Sequence, residues 1–218
     1  MDSSVHCPEC GAPAPFRGTA VSLVCEYCDS TIVRTDAEVK LVGKVSAILD
    51  NGSPILLDAR GKLDSLPFRV SGRLQVRYGR GTWNEWFLEF ADGTIGWLAD
   101  ALGSYSIVRP RDSKIVAGRV PAFPQLTAGM NLSIDGKMTT VTDARGASYL
   151  GAEGILPFEA EPGFVFYSAD LRTADGAFHT LDYGRDPNHQ QPELYTGKAV
   201  RLDRIELHPL RRFEGWRD

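Results

Sequence analysis

Two Cys-x-x-Cys pairs, Cys7 with Cys10 and Cys25 with Cys28, stand fourteen residues apart near the start of the chain. A tetrahedral metal ion needs four soft ligands converging on one point, and the short Cys-x-x-Cys turn lets both sulfurs face the same way. Gly11 follows the first pair and Asp29 the second, at the position where such a turn reverses the chain with positive φ. Leu23-Val24 and Thr31-Ile32-Val33 read as short strands around the second pair. The pattern predicts a zinc ribbon over residues 1–36, with Cys7, Cys10, Cys25 and Cys28 as ligands and zinc as cofactor.

A rubredoxin-type iron site uses similar knuckles and stays open on sequence grounds. A redox dithiol belongs at the start of a helix, which Pro13 and Pro15 do not allow here. The chain has four cysteines in all. Once they hold a metal, no thiol is left for a nucleophile or a disulfide. His6, beside Cys7, reads as a solvated side chain rather than a fifth ligand.

Charge bears on the partner. Of 218 residues, 24 are Lys or Arg and 28 are Asp or Glu, a formal charge of −4. Four thiolates around one divalent zinc would take it to −6. The ribbon segment carries Asp2, Glu9, Glu26, Asp29 and Asp36 against Arg17 and Arg34. Phosphate binding depends on Lys and Arg, so a nucleic-acid partner is disfavoured and a protein partner expected. No apolar run approaches the ~18 residues of a spanning helix, and no leader-like apolar stretch precedes the first knuckle. A cytoplasmic protein without membrane insertion is expected.

Behind the cysteines the chain reads as mainly β: a linker at 37–51, small antiparallel β-modules at 52–115 and 122–210, barrel- or sandwich-like, and a tail at 211–218. Pro121 and Pro124 mark the boundary between the modules. Thr35 with Glu38 resembles a helix capping box, although the Val-rich run after them suits a strand. Asp92-Gly93, Asp135-Gly136 and Asp175-Gly176 sit between alternating segments and predict three hairpins.

The stretch from Arg69 to Ala99 predicts a three-stranded meander. Matching polarity sets Val76 opposite Trp86, Leu74 opposite Leu88, Arg77 opposite Glu85 and Arg73 opposite Glu89. A two-residue turn at Asp92-Gly93 then places Leu88 opposite Trp97 and Phe90 opposite Ile95. Trp86 and Trp97 fall on one apolar core face. Arg69, Arg73, Arg77, Trp83 and Phe87 fall on the other, a face to be covered by the second module or used for binding.

The run from Leu56 to Tyr105, with AEGILPF (Ala152 to Phe158) and YTGKAVRLDRIEL (Tyr195 to Leu207), resembles a bacterial family known as a domain of unknown function. Its specific marks are Trp-Asn-Glu-Trp, Trp83 to Trp86, and Gly-Trp-Leu, Gly96 to Leu98. The likeness spans about 52–210 and departs at Ile155, where the family pattern has an acidic residue, and at Asp100, where it has Glu. The resemblance implies a β-rich fold, a zinc-ribbon head and a gene setting beside polyamine-synthesis-like enzymes and small membrane proteins. An association with a membrane protein or a polyamine-related protein follows from that setting.

No catalytic residue is assigned. His179 shares a strand face with Leu181 and Tyr183, His189 lies in a polar loop, and His208 precedes Pro209. None is spaced to meet a nucleophile, and no phosphate loop or metalloprotease motif occurs. Glu85, flanked by tryptophans, could have a raised pKa, yet the expected register gives it to Arg77. The reading is a non-catalytic, zinc-binding interaction protein or adaptor. An enzyme or accessory subunit of polyamine-related metabolism and a nucleic-acid-binding ribbon are the alternatives.

Overall fold

The computed structural model describes residues 3–17, 20–34, 39–44, 48–79, 81–116 and 118–213. The described chain is built of strands, with two short 3-10 turns at Ser113–Ile115 and Phe123–Gln125. Among the described residues no helix is long and apolar enough to cross a membrane. The expected capping box at Thr35 and Glu38 and the last five residues of the expected tail lie outside the described residues.

The cysteine region supplies β1 (Ser3–His6) and β2 (Pro13–Phe16), which pair as a hairpin, and β3 (Ser22–Val24) and β4 (Ser30–Arg34), a second hairpin. The segment expected as a linker contains a strand, β5 (Val39–Lys44), that pairs with β4. Next come β6 (Ile55–Leu63), β7 (Leu66–Tyr78), β8 (Gly81–Phe90), β9 (Ile95–Ala101) and β10 (Ser104–Arg111). After the 3-10 turns follow β11 (Asn131–Ile134), β12 (Lys137–Leu156), β13 (Val165–Thr173), β14 (Ala177–Gly184), β15 (Glu193–Val200) and β16 (His208–Leu210).

Eight of these strands close on themselves. The hydrogen-bonded order runs β7-β8-β9-β10-β15-β14-β13-β12, and β12 pairs back onto β7, every pair antiparallel. The 20-residue β12 makes the closure. It pairs with β13 from Thr139 to Ser148 and with β7 from Ser148 to Gly154, so it changes partner at mid-length. A closed barrel leaves its ring strands without free edges, which protects long exposed strands from pairing with other chains.

The boundary at Pro121 and Pro124 therefore does not divide the sheet. What remains of the two expected modules is a pair of apolar caps on opposite outer walls. Strand β6 and the segment carrying Ile205 and Leu207 cover Val70, Trp86, Leu88, Leu98 and Ile107. The 3-10 region and β11 bring Val116, Val120, Leu126 and Ile134 onto Val141, Leu171, Leu181 and Leu194. A third cluster, with Leu74, Val76, Phe87, Trp97 and Ala147, lies inside the ring.

The three Asp-Gly hairpins form where the sequence puts them, joining β8–β9, β11–β12 and β13–β14. Their registers explain the chief departure from the sequence reading. At Asp92-Gly93 the loop has three residues, closed by the Phe90 amide on the Thr94 carbonyl, with Gly93 at φ 80°. A three-residue loop with a left-handed last residue shifts the pairing by one position from a two-residue turn. Phe87, not Leu88, is thus opposite Trp97, and Glu89, not Phe90, opposite Ile95. At the other hairpin, Tyr78 pairs with Gly81, so Val76 faces Trp83 and Leu74 faces Glu85.

A bulge at Ser71 adds one residue to β7 between Val70 and Gly72. The extra residue exchanges inner and outer faces along the strand. Phe68 and Val70 before it, and Arg73 and Gln75 after it, all turn to the outer wall. The single apolar face expected for the meander is two faces: Trp86, Leu88 and Phe90 point outward, while Trp97 and Phe87 point inward.

Candidate functional site

The four cysteine sulfurs lie within 4.8 Å of one another. Cys7 Sγ is 3.7 Å from Cys28 Sγ, and Cys10 Sγ is 3.7 Å from Cys25 Sγ. That spacing is close to the edge of a tetrahedron with metal–sulfur bonds of ~2.3 Å, about 3.8 Å. The two turns are built alike. The Gly11 amide donates to the Cys7 carbonyl and Cys7 N–H to the Ala12 carbonyl; Asp29 N–H donates to the Cys25 carbonyl and Cys25 N–H to the Ser30 carbonyl. Gly11 has φ 74° and Asp29 φ 56°, the left-handed turns that the spacing called for. Four sulfurs this close together fit a metal centre, and Phe16, Ala20, Leu23 and Ile32 bury its flank.

The five residues expected to share a binding face do not share one. Trp83 and Phe87 point into the barrel, Phe87 fully buried against Trp97 at 5.2 Å between ring centroids. Arg73 lies on the outer wall, stacked 5.0 Å from the Trp86 ring, with Nε donating to Asn84 Oδ1 at 3.0 Å. Arg69 pairs with Asp58, and Arg77 stands exposed opposite Thr82 and Ser148. The expected pairs Arg77–Glu85 and Arg73–Glu89 are not formed, because the hairpin closes on a two-residue turn and the bulge intervenes.

Around Arg73 the outer wall carries a polar network that the sequence reading missed. Gln75 exchanges hydrogen bonds with the Leu49 backbone, both at 2.8 Å, and the Ser53 hydroxyl donates to Asp100. Asn84 donates from Nδ2 to Asn51 Oδ1 and Asp100 Oδ2 at 3.2 and 3.3 Å. These bonds pin the 49–53 segment to the barrel, and their groups satisfy one another.

Trp-Asn-Glu-Trp is therefore split by strand alternation. Asn84 and Trp86 serve the outer wall; Trp83 and Glu85 serve the interior. The barrel encloses a cavity of about 530 Å³. Its walls carry Trp83, Trp97, Tyr149, Phe158, Phe166 and Phe178, and among these rings stand three carboxylates, Glu85 on β8, Asp170 on β13 and Asp182 on β14. Trp83 Nε1 donates to Glu85 Oε1 at 2.7 Å, the Thr180 hydroxyl to Asp170 Oδ1 at 2.9 Å, and the Gly184 amide to Asp182 Oδ1 at 2.8 Å.

Loss of water raises all three carboxyl pKa values. Burial, with Asp170 and Asp182 nearby, outweighs the Trp83 hydrogen bond and lifts Glu85 to about 8. Burial lifts Asp182 to about 6, against the Gly184 amide, and Asp170 shifts the same way. The hydroxyls of Tyr149 and Tyr195 are held well above their usual range by burial, so they stay neutral donors. Glu85 is the one of the three that the sequence singled out, for its flanking tryptophans. Asp170 and Asp182 carried no local signal, since an Asp alternating with Ser, Thr or Phe reads as a solvated strand face.

His179 shares its outer face with Leu181 and Tyr183 as expected, and its Nδ1 lies 3.0 Å from Thr196 Oγ1. It takes no part in the cavity.

The ribbon meets the barrel at one end of that cavity. Strand β3 pairs with the last residues of β12, Leu23 with Ile155 and Ser22 with Leu156, and the Ser22 hydroxyl donates to the Phe158 carbonyl at 2.5 Å. Ile155 is buried among ribbon side chains. Phe158 in turn lies 5.8 Å from both Trp97 and Tyr149.

A family model described as a domain of unknown function, DUF4178, matches residues 57–202, about two thirds of the chain. The chain belongs to the DUF4178 family. The match begins in β6 and ends just past β15, so the DUF4178 domain of this chain contains all eight ring strands and leaves the cysteine ribbon outside. No curated protein and no solved structure matches the chain.

Proposed function

We propose that this DUF4178 protein is a non-catalytic binding protein whose barrel takes a small molecule into its interior, with a zinc ribbon bracing one end of the cavity. The observation that carries the reading is the cavity of about 530 Å³ lined by aromatic rings and three half-satisfied carboxylates. Ligand sites are concave, largely apolar, and oriented by a few placed polar groups, and an eight-stranded barrel has room for one small ligand where side chains do not fill it. A barrel shaped only for stability would fill its interior with side chains and leave no such space.

The ribbon holds one zinc per chain in this reading: four thiolates at tetrahedral spacing form a closed structural site, whose metal binding drives folding. The test combines both parts. Protein purified under native conditions is analysed for metal by elemental analysis and for small molecules released on denaturation. The same is done with Ala99→Trp, which fills the cavity from β9. One equivalent of zinc in both proteins and a released compound in the wild type alone support the reading. Iron overturns the metal assignment, and a compound retained equally by the filled variant overturns the cavity assignment.

A second reading keeps the adaptor role in a cytoplasmic setting. Tyr27, at the tip of the second cysteine turn, is 72% exposed, and an aromatic held out on a rigid knuckle suits protein docking. Affinity capture with the wild type and with Tyr27→Ala tests it; a partner retained equally by both removes the knuckle from the interface.

A further inference from the structure

Building on the barrel as a receptor, we infer that its ligand is an organic cation, a protonated amine carried on a hydrocarbon chain. The interior is built of two kinds of wall that one such molecule satisfies together. Glu85, Asp170 and Asp182 enter the cavity from separate strands, and among the described residues none of them forms an ion pair. Each accepts a single hydrogen bond at one oxygen, from Trp83, Thr180 and Gly184 respectively, and among the described residues the second oxygen has no donor. The three side chains are half-buried, and their free oxygens face a space large enough to admit a donor.

The remaining wall is aromatic. Trp83, Trp97, Tyr149 and Phe166 present rings around the same space, and ring faces attract ammonium groups. The two guanidinium groups that border the cavity are already engaged. Arg145 pairs with Asp143 and stacks 4.7 Å from the Tyr78 ring, and Arg172 is exposed and stacks 5.3 Å from Phe178.

Other ligand classes leave one wall unsatisfied. A bare hard cation takes six to eight oxygens at short range and has no use for rings or for about 530 Å³. An anion meets three carboxylates. A neutral apolar molecule covers the rings and leaves the carboxylate oxygens unpaired. The upward pKa shifts agree: no cation of the protein's own holds Glu85 or Asp182 down, and at Asp170 burial outweighs the pull of Arg145 and Arg172.

The test uses the full chain and three matched probes: hexamethylenediamine, its neutral diol and adipate. Binding is read by calorimetry and by the emission of Trp83 and Trp97, which line the site. The diamine is expected to bind about tenfold or more tightly than the diol, with adipate weaker still, and Glu85→Gln and Asp182→Asn each to weaken the diamine by a similar factor. Both replacements are isosteric with the protonated acids, so folding is retained. Diol or adipate binding as tightly as the diamine overturns the cation class and leaves the receptor reading standing. If no probe binds, and a neutral apolar dye is also excluded from the wild type, the cation inference and the receptor reading fall together. A diamine that binds equally well to both variants also overturns the inference, since the carboxylates would then take no part.

Discussion

Glu85 shows how a single side chain is placed against its own stability. Its carboxyl stays protonated in the fold up to about 8, whereas its ordinary value is 4.5. Between those values the unfolded chain has released a proton that the folded chain still holds, so stability falls as pH rises from about 4.5 to about 8. Asp182 adds to the loss in the same direction up to about 6. Asp170, Tyr149, Tyr195 and Arg145 face the same space. Thermal melts across that window should show a falling midpoint for the wild type. Glu85→Gln should flatten the fall and be the more stable chain at its alkaline end. An unchanged slope would mean that Glu85 is solvated in the folded protein. Cation affinity should run the opposite way, rising with pH as the carboxylate forms. A residue whose replacement improves folding and harms binding is one that the fold retains for the site.

At the scale of the strand, the barrel depends on places where two backbones approach too closely for a side chain. A Cβ on Gly197 would lie 1.7 Å from the Ile107 carbonyl oxygen, across the β10–β15 seam that joins the two halves. A Cβ on Gly72 would lie 2.0 Å from the Ile155 oxygen, beside the β7–β12 closure. Gly93 is a different case: its φ is +80° but nothing lies within 4 Å of its Cβ position. Gly93→Ala should therefore cost only the left-handed backbone, about 1 kcal/mol. Gly197→Ala should cost about 1–3 kcal/mol or more, because strand backbones must part. Denaturant melts of the two variants check the ranking, and a Gly197→Ala chain as stable as Gly93→Ala would mean that the β10–β15 seam is looser than described. The three Asp-Gly hairpins were legible because turn chemistry is local. Their registers were not, since loop length and the Ser71 bulge each move the pairing without changing polarity in a way that a short window reveals.

For the molecule as a whole, the ribbon and the barrel share one continuous sheet through β3 and β12, and Ser22 holds the Phe158 carbonyl beside the cavity. Removing the metal should therefore be felt inside the barrel. Cys25→Ser is expected to lose the metal, and the freed Phe158 should shift the emission of Trp97, which it touches, while the eight-stranded ring melts as a separate and later transition. Metal loss that leaves tryptophan emission unchanged would show that the ribbon does not brace the cavity.

The sequence by itself determined the cysteine site, because its four ligands sit in two short turns whose geometry is set within a few residues: even the positive φ at Asp29 could be read from its place after Cys28. It determined a β-rich chain and membership of a family of unknown function over residues 57–202, a span that contains Trp-Asn-Glu-Trp. Only the tertiary structure decided what that tetrapeptide serves. Asn84 and Trp86 belong to an outer wall and Trp83 and Glu85 to a cavity because the ring closes between β7 and β12, whose paired residues lie about 70–80 positions apart. Asp170 and Asp182 became site residues for the same reason. A strand's alternation says which side chains share a face, and only closure of the barrel says which face is the inside.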